Sequence, residues 1–440
     1  TQGDMLVPAR RLMQTRRAAI LGAAGLLVGG VSAAPVLAQE DTVAVARLDT
    51  LAIVDSLRAA VDTLQDAHPQ DSPDSTGFVF ATPDGKGSFR LRASIRLNGA
   101  WDFDGLRSTD VFDTYQIPVT STDQFDQARF FMQATQSRFG FELNRDTGRG
   151  IVFGRIETDF RGQGNSLRLR HAYGEYWRFL AGQTWSTFTD VTTLPVTVDL
   201  EGPPSSNSVR TPQIRYTVSP AEGWNTAFAL EAPQVDATVT DSAGSGTGTL
   251  AQFQGFGDIA ARVRRNTNWG HLTFSTIFRS ITLQDRNFET QLVPGLGFQL
   301  SAQIKVDGDD QILLQVIGGR AISRFVGSLG GKGLDVILNP VSGQWSAVKS
   351  WGGYVTYNHR WRIIAPGVIS NFTIGALGVG NEDFEPEDAF KYSFYFSANA
   401  FWHITVGARL GGELSWGQRV NKGGESGDAT RLSFAAYFDF

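Results

Sequence analysis

Arg431-Leu432-Ser433-Phe434-Ala435-Ala436-Tyr437-Phe438-Asp439-Phe440 alternates without a break. Leu432, Phe434, Ala436, Phe438 and Phe440 share one phase; Arg431, Ser433, Ala435, Tyr437 and Asp439 share the other. Successive side chains of a β-strand point to opposite faces, so this stretch has one greasy face and one mostly polar face.

The same period runs back through the chain. Phe89, Leu91, Ala93, Ile95, Leu97, Gly99 and Trp101 alternate with Arg90, Arg92, Ser94, Arg96 and Asn98. Val152, Ile156 and Phe160 oppose Phe153, Arg155, Glu157 and Asp159; Ile259 and Val263 oppose Asp258, Arg262 and Arg264. Between residues 88 and 440 about sixteen such segments can be counted. A soluble sandwich alternates too, but rarely through some 350 residues without a helix. The expected fold is therefore all-β: a transmembrane antiparallel barrel of about sixteen strands in the cell outer membrane. The final strand resembles the assembly signal of such barrels and would close against the first. Trp101, Trp185, Trp269, Trp351, Trp361, Trp402 and Trp416 fall near strand ends, where an aromatic girdle belongs.

Ahead of the barrel, Arg10, Arg11, Arg16 and Arg17 precede an apolar run over 18–31 and small residues at Val36-Leu37-Ala38. That order predicts a cleaved signal peptide over 1–38. Residues 39–67 read as a periplasmic helix. Its seam of Val54, Leu57, Val61 and Leu64 suits either a short coiled coil or an amphipathic linker. Proline and glycine over 68–87 read as a linker, and 88–440 as the barrel. Polar stretches at 102–128, 186–207, 235–253, 322–348 and 417–428 read as extracellular loops. The glycine-serine tip at 242–249 lacks the helix that a phosphate-cradling loop requires.

Composition removes several function classes. With no cysteine, thiolate metal sites, disulfides and cysteine nucleophiles are out. A net charge of −5 suggests no nucleic-acid partner. The five histidines are scattered, and no cofactor or metal is expected. His171 falls in phase with Leu167, Leu169 and Tyr173, which predicts an outward position. The acidic run Glu382, Asp383, Glu385, Glu387 and Asp388 matches no Ca²⁺ loop and is interrupted by Pro386, so it reads as a solvated loop.

If the apolar phase meets lipid, the other phase lines water. It carries Arg90, Arg92, Arg96, Arg138, Arg155, Arg168, Arg170, Arg215, Arg262, Arg264, Arg279 and Lys305. A cationic wall concentrates anions, and guanidinium forks fit carboxylate or phosphate. Glu142, Glu157, Asp159, Glu231, Asp258 and Glu413 fall in or near the same phase, so each arginine suits either a pore-lining role or a structural ion pair. Thr187 to Ser206, with Pro195, Pro203 and Pro204, is long enough to fold inward; Asp190, Asp199 and Glu201 would then face the arginines across a constriction. No Gly-x-Ser-x-Gly or His-Glu-x-x-His occurs, so the expectation is a channel and not an enzyme. A barrel hydrolase and a structural or adhesive barrel are the alternatives. No plug domain is legible before the barrel, which favours an open lumen.

Residues 137–216 carry a resemblance. They contain Ser137-Arg138-Phe139-Gly140, then Leu167-Arg168-Leu169-Arg170-His171-Ala172-Tyr173-Gly174-Glu175, then Gly182-Gln183-Thr184-Trp185 and Asp190. Gly202-Pro203 and Val209-Arg210-Thr211-Pro212-Gln213-Ile214-Arg215-Tyr216 follow. The series resembles the DcaP-like trimeric outer-membrane porins. The resemblance implies a homotrimer of sixteen-stranded barrels with an N-terminal periplasmic helix. It also implies passage of small anionic solutes such as dicarboxylates.

Overall fold

A computed structural model describes residues 77–106, 108, 110–119, 128–238, 254–284 and 289–440. The expected signal peptide, the helix over 39–67 and the tip at 242–249 lie outside them. Sixteen antiparallel strands close on themselves. They are β1 Gly87–Asp102, β2 Arg129–Gln133 continued by Arg138–Asp146, β3 Ile151–Asp159, β4 Arg168–Tyr176, β5 Phe179–Trp185 and β6 Arg210–Val218. Then come β7 Trp224–Glu231, β8 Asp258–Thr267, β9 Gly270–Gln284, β10 Thr290–Lys305 and β11 Gln311–Arg320. The last five are β12 Lys349–Trp361, β13 Val368–Gly380, β14 Phe390–Thr405, β15 Ala408–Asn421 and β16 Ser426–Asp439.

Closure joins β1 to β16, with Ser94 to Asp102 paired against Asp439 to Arg431. Ala93 and Phe440 finish the seam by exchanging backbone hydrogen bonds of 2.8 and 3.3 Å. Beyond it Phe78–Ala81 pairs with Ser88 to Leu91 and occupies the edge that β16 leaves open. The end of the expected 68–87 linker is thus a strand, because an unpaired β1 edge would leave backbone groups unsatisfied.

The burial pattern of β16 is that of a protein turned inside out. Leu432, Phe438 and Phe440 are 41, 46 and 48% exposed, whereas Arg431, Ser433, Tyr437 and Asp439 are buried. Leu91, Ile95, Leu97, Phe228, Phe274, Phe298, Val355 and Ile374 continue the exposed apolar belt around the wall. A continuous apolar surface of this extent is stable only against hydrocarbon. Trp101, Trp269, Trp351 and Trp402 stand exposed at its margins. Trp185 is different: at 8% exposure it packs inside against Val191, Leu194 and Tyr354.

One end of the barrel has short turns, such as 177–178, 268–269 and 406–407. The other carries longer connections: 160–167, 186–209 (loop 3), 321–348 (loop 6) and the described parts of 103–128 (loop 1) and 232–257. In such barrels the long loops face outward from the cell. The loop expected at 417–428 is instead strand on both sides, since Trp416 to Val420 pair with Thr430 to Ser426. Only 422–425 connect them, a turn that a polar but still alternating sequence concealed.

No separate plug is needed to fill much of the lumen. Loops 1, 3 and 6 enter it with apolar side chains. Phe188 and Phe325 meet edge to face at 5.4 Å, in a cluster with Ile277, Ile317, Val326, Leu329 and Leu377. Phe112 and Ile117 of loop 1 pack on Tyr395. Between these loops and the wall a cavity remains, bordered by β2, β4, β5 and β6.

Candidate functional site

Loop 3 crosses the barrel and is fixed by four carboxylate clamps. Glu231 of β7 accepts from Ser186 Oγ at 2.7 Å and from the Thr187 N–H at 2.6 Å. Asp190 lies 2.7 Å from Arg264 and 3.3 Å from His271, and accepts from Ser301 Oγ at 2.7 Å. Glu413 of β15 accepts from the Val198 and Asp199 N–H groups at 2.8 and 3.4 Å. Asp199 in turn holds Arg431 at 3.2 Å and the Phe112 N–H at 2.8 Å. Burial raises the Asp190 carboxyl, but Arg264 and His271 outweigh it and hold the group well below the usual carboxylate range. At Asp199 burial wins over Arg431 and the carboxyl is pushed up. Asp190 and Asp199 are therefore anchors of the loop against the far wall and do not face the open passage.

Glu201 is placed differently from Asp190 and Asp199. It lines a cavity of about 240 Å³ between the loop and the wall. Six arginines border the same space: Arg138, Arg161, Arg168, Arg170, Arg210 and Arg324. Behind them stand Glu157 and Asp159, bridged to Arg170 at 2.6 and 3.3 Å, with Arg168 also on Asp159 at 2.6 Å. Asp110 pairs with Arg161. Arg324 in turn lies 3.8 Å from Asp258, so the guanidiniums are partly neutralised from behind while Glu201 is the one carboxylate among the lining side chains. Burial, with Asp113 and Asp199 adding repulsion, pushes the Glu201 carboxyl up to about 8. Arg210 lies over the Trp185 ring, 4.3 Å from its centroid, and makes no ion pair among the described residues.

The other arginines expected to line the pore divide by position. Arg92 pairs with Glu142 at 3.3 Å and Arg155 with Glu157 at 2.6 Å, both on the inner wall. Arg90 sits beside Glu142 in register. Arg96 is buried over the Tyr437 ring. Arg215 and Arg262 are buried in the inner wall. Arg264 is committed to Asp190, and Arg279, fully buried, to Asp258 and Asp335 at 3.2 and 2.8 Å. Lys305 is exposed at the turn end. Of the set, Arg138, Arg168 and Arg170 reach the cavity.

His171 corrects an expectation. The pairing of β3 with β4 slips between Glu157 and Thr158, which oppose His171 and Leu169, leaving Arg170 as the extra residue of a bulge. A bulge shifts the phase of every residue after it. His171 therefore turns inward, buried, with Nδ1 3.0 Å from Thr184 Oγ1. Alternation did not reveal Arg161, Arg210 or Arg324, because two lie in loops and one begins a strand. Among the described residues no three metal-ligating groups converge. The acidic loop at 382–388 is instead held by Lys422, which donates to the Asp383 and Glu385 carbonyls at 3.0 and 2.6 Å.

Residues 80–256 match the model of the DcaP outer membrane protein family. No curated protein matches the chain. Among solved structures, the outer membrane channel DcaP of Acinetobacter baumannii superposes with a TM-score of 0.67 at 19% identity, covering 82% of this chain and 99% of that one. Salmonella typhi OmpF follows at 0.52 and 12%, covering 82 and 100%. Vibrio cholerae OmpT follows at 0.51 and 10%, covering 82 and 100%. The sixteen-stranded closure and the exposed apolar belt make the chain a barrel of the porin fold, and over 80–256 it is similar to the DcaP outer membrane proteins.

Proposed function

We propose that the protein is a passive diffusion channel, without enzymatic activity, for small hydrophilic solutes, and that it favours anions of the dicarboxylate type. The observation that carries this is the cavity between loop 3 and the wall, where six arginines face one lining carboxylate, Glu201. Arg210 supplies an uncommitted charge on an aromatic platform, and Arg168, with its side chain 37% exposed, supplies a second contact. Several weak sites in sequence let an anion enter and still leave. The proposed assembly is a homotrimer in outer-membrane lipid; one of the matching OmpT structures is a trimer form. A cleaved signal over 1–38 and a periplasmic helix over 39–67 complete the proposal.

Reversal potentials in planar bilayers under a salt gradient test it. An anion-ward shift, with succinate competing for current better than a neutral sugar, is expected. Cation selectivity would exclude the charge argument. The titration of Glu201 adds a second expectation. Its carboxyl is neutral below about 8 and ionised above, so each step up through that pH adds a negative charge to the constriction. Anion preference should fall several-fold between about pH 6 and about pH 10. In Glu201→Gln that fall should be absent.

A further inference from the structure

The lipid-facing wall carries a cationic pair that the channel does not use. Arg320, at the loop end of β11, and Lys349, at the start of β12, are direct cross-strand neighbours. Both are exposed. Phase places them on the outer face: Arg320 opposes Leu296, which is 45% exposed in the apolar belt, and Lys349 follows the phase of Trp351, 51% exposed. Like charges set directly opposite each other on one face repel. Neither side chain has an ion pair or hydrogen bond among the described residues. Burying them between subunits would therefore demand an anion from outside the chain.

The surroundings match a membrane interface. One rung toward the barrel centre the indole of Trp351 lies across Gly378, where a Cβ would meet it at 2.5 Å. The stem of Lys349 lies beside Gly380, with its Cβ 3.3 Å from where a side chain there would begin. Two glycines on β13 thus let the Trp351 ring and the Lys349 stem lie flat on the wall, with the aromatic ring one rung below the two cations. Aromatic rings mark the headgroup level of a barrel wall. Cations just beyond that level sit where lipid phosphates lie. The loop end faces outward from the cell, so the lipid in reach is that of the outer leaflet.

We propose that Arg320 and Lys349 clasp a phosphate of an outer-leaflet glycolipid headgroup, with Trp351 against the start of its acyl chains. The site is specific to phosphorylated lipid and separate from the pore. Guanidinium and ammonium together give the phosphate a forked and a point contact.

Native mass spectrometry of the full barrel in detergent, titrated with bis-phosphorylated lipid A, tests the proposal. Dephosphorylated lipid A and inorganic phosphate serve as parallel probes. Retention of the phosphorylated glycolipid is expected, with little of the dephosphorylated form. In the Arg320→Gln, Lys349→Gln double variant that retention should weaken on the order of thirtyfold, from two surface charges near an anionic headgroup. Conductance in bilayers should be unchanged, which shows that the variant barrel is folded. Equal binding of phosphorylated and dephosphorylated lipid would overturn the proposal. So would equal binding by the variant, binding of inorganic phosphate as strong as that of the lipid, or a variant that changes only the number of subunits in the assembly.

Discussion

Arg210→Met should lower the anion-to-cation permeability ratio more than any other single arginine replacement around the cavity. The reason is commitment. Arg168 and Arg170 share Glu157 and Asp159, and Arg161 holds Asp110. Their positive charge is already partly cancelled before a solute arrives, and removing one of them exposes a carboxylate as well. Arg210 has the Trp185 ring beneath it and no carboxylate within ion-pair distance among the described residues, Glu157 and Asp159 reaching it only at longer range. Its loss subtracts one whole charge from the passage. At about 4 Å in a water-like dielectric a unit charge interacts with about 1 kcal/mol, a factor of about five in relative permeability. Methionine keeps a flexible apolar side chain over the indole, so the Trp185 packing with Val191 and Leu194 persists. Reversal potentials of wild type and variant, at equal salt gradients, check the result. An unchanged ratio would remove Arg210 from the solute's path. Arg210→Lys should restore most of the selectivity if charge alone acts, and less if the planar fork on the ring is required.

The barrel was legible because its physics is periodic. Leu432, Phe434 and Phe438 on one phase and Arg431 and Ser433 on the other announce lipid and lumen without any knowledge of partners. The same rule located the wall arginines but not their commitments. Arg279 reads like Arg168 in sequence, yet Asp335, 56 residues away in loop 6, neutralises it. Such pairings depend on how loops enter the lumen, and a strand period carries no information about loops. For the same reason Arg161 and Arg324 went unnoticed. His171 failed for a local reason: one bulge at Arg170 reversed the phase of β4. The inward course of loop 3 was legible from its length and prolines. That Asp190 and Asp199 would anchor it, leaving Glu201 at the passage, was not, because all three carboxylates look alike until their partners are placed.

Asp190→Ala should release loop 3 and open the channel. Asp190 is fully buried and satisfies Arg264, His271 and Ser301 together, from three neighbouring strands. Without it the buried Arg264 guanidinium loses its carboxylate and keeps only hydroxyl partners such as Thr273 and Thr192, a defect that costs up to about 3–5 kcal/mol. The strand ladder can absorb that cost, since the wall's own hydrogen bonds do not pass through Asp190. The loop is less able to, because Asp190 fixes the segment between the Glu231 clamp at Ser186 and Thr187 and the Glu413 and Asp199 clamps at 198–199. The expected state is an intact barrel whose loop leaves the wall, with Arg264 rehydrated by water that enters behind it. The population of the detached form should rise more than a hundredfold. Single-channel conductance should increase, and anion preference should fall, because a wider passage holds solutes farther from Arg210 and Arg168. Asp190→Asn should be milder, since the amide still accepts from Ser301 while losing only the charge against Arg264. Conductance unchanged in the alanine variant, with the barrel still folded, would mean that the loop is held by its apolar contacts through Phe188 and Phe325. The clamp at Asp190 would then be dispensable. Adding Phe188→Ala to Asp190→Ala separates the two contributions, because only a loop held jointly by charge and packing gives a larger opening in the double variant than in either single one.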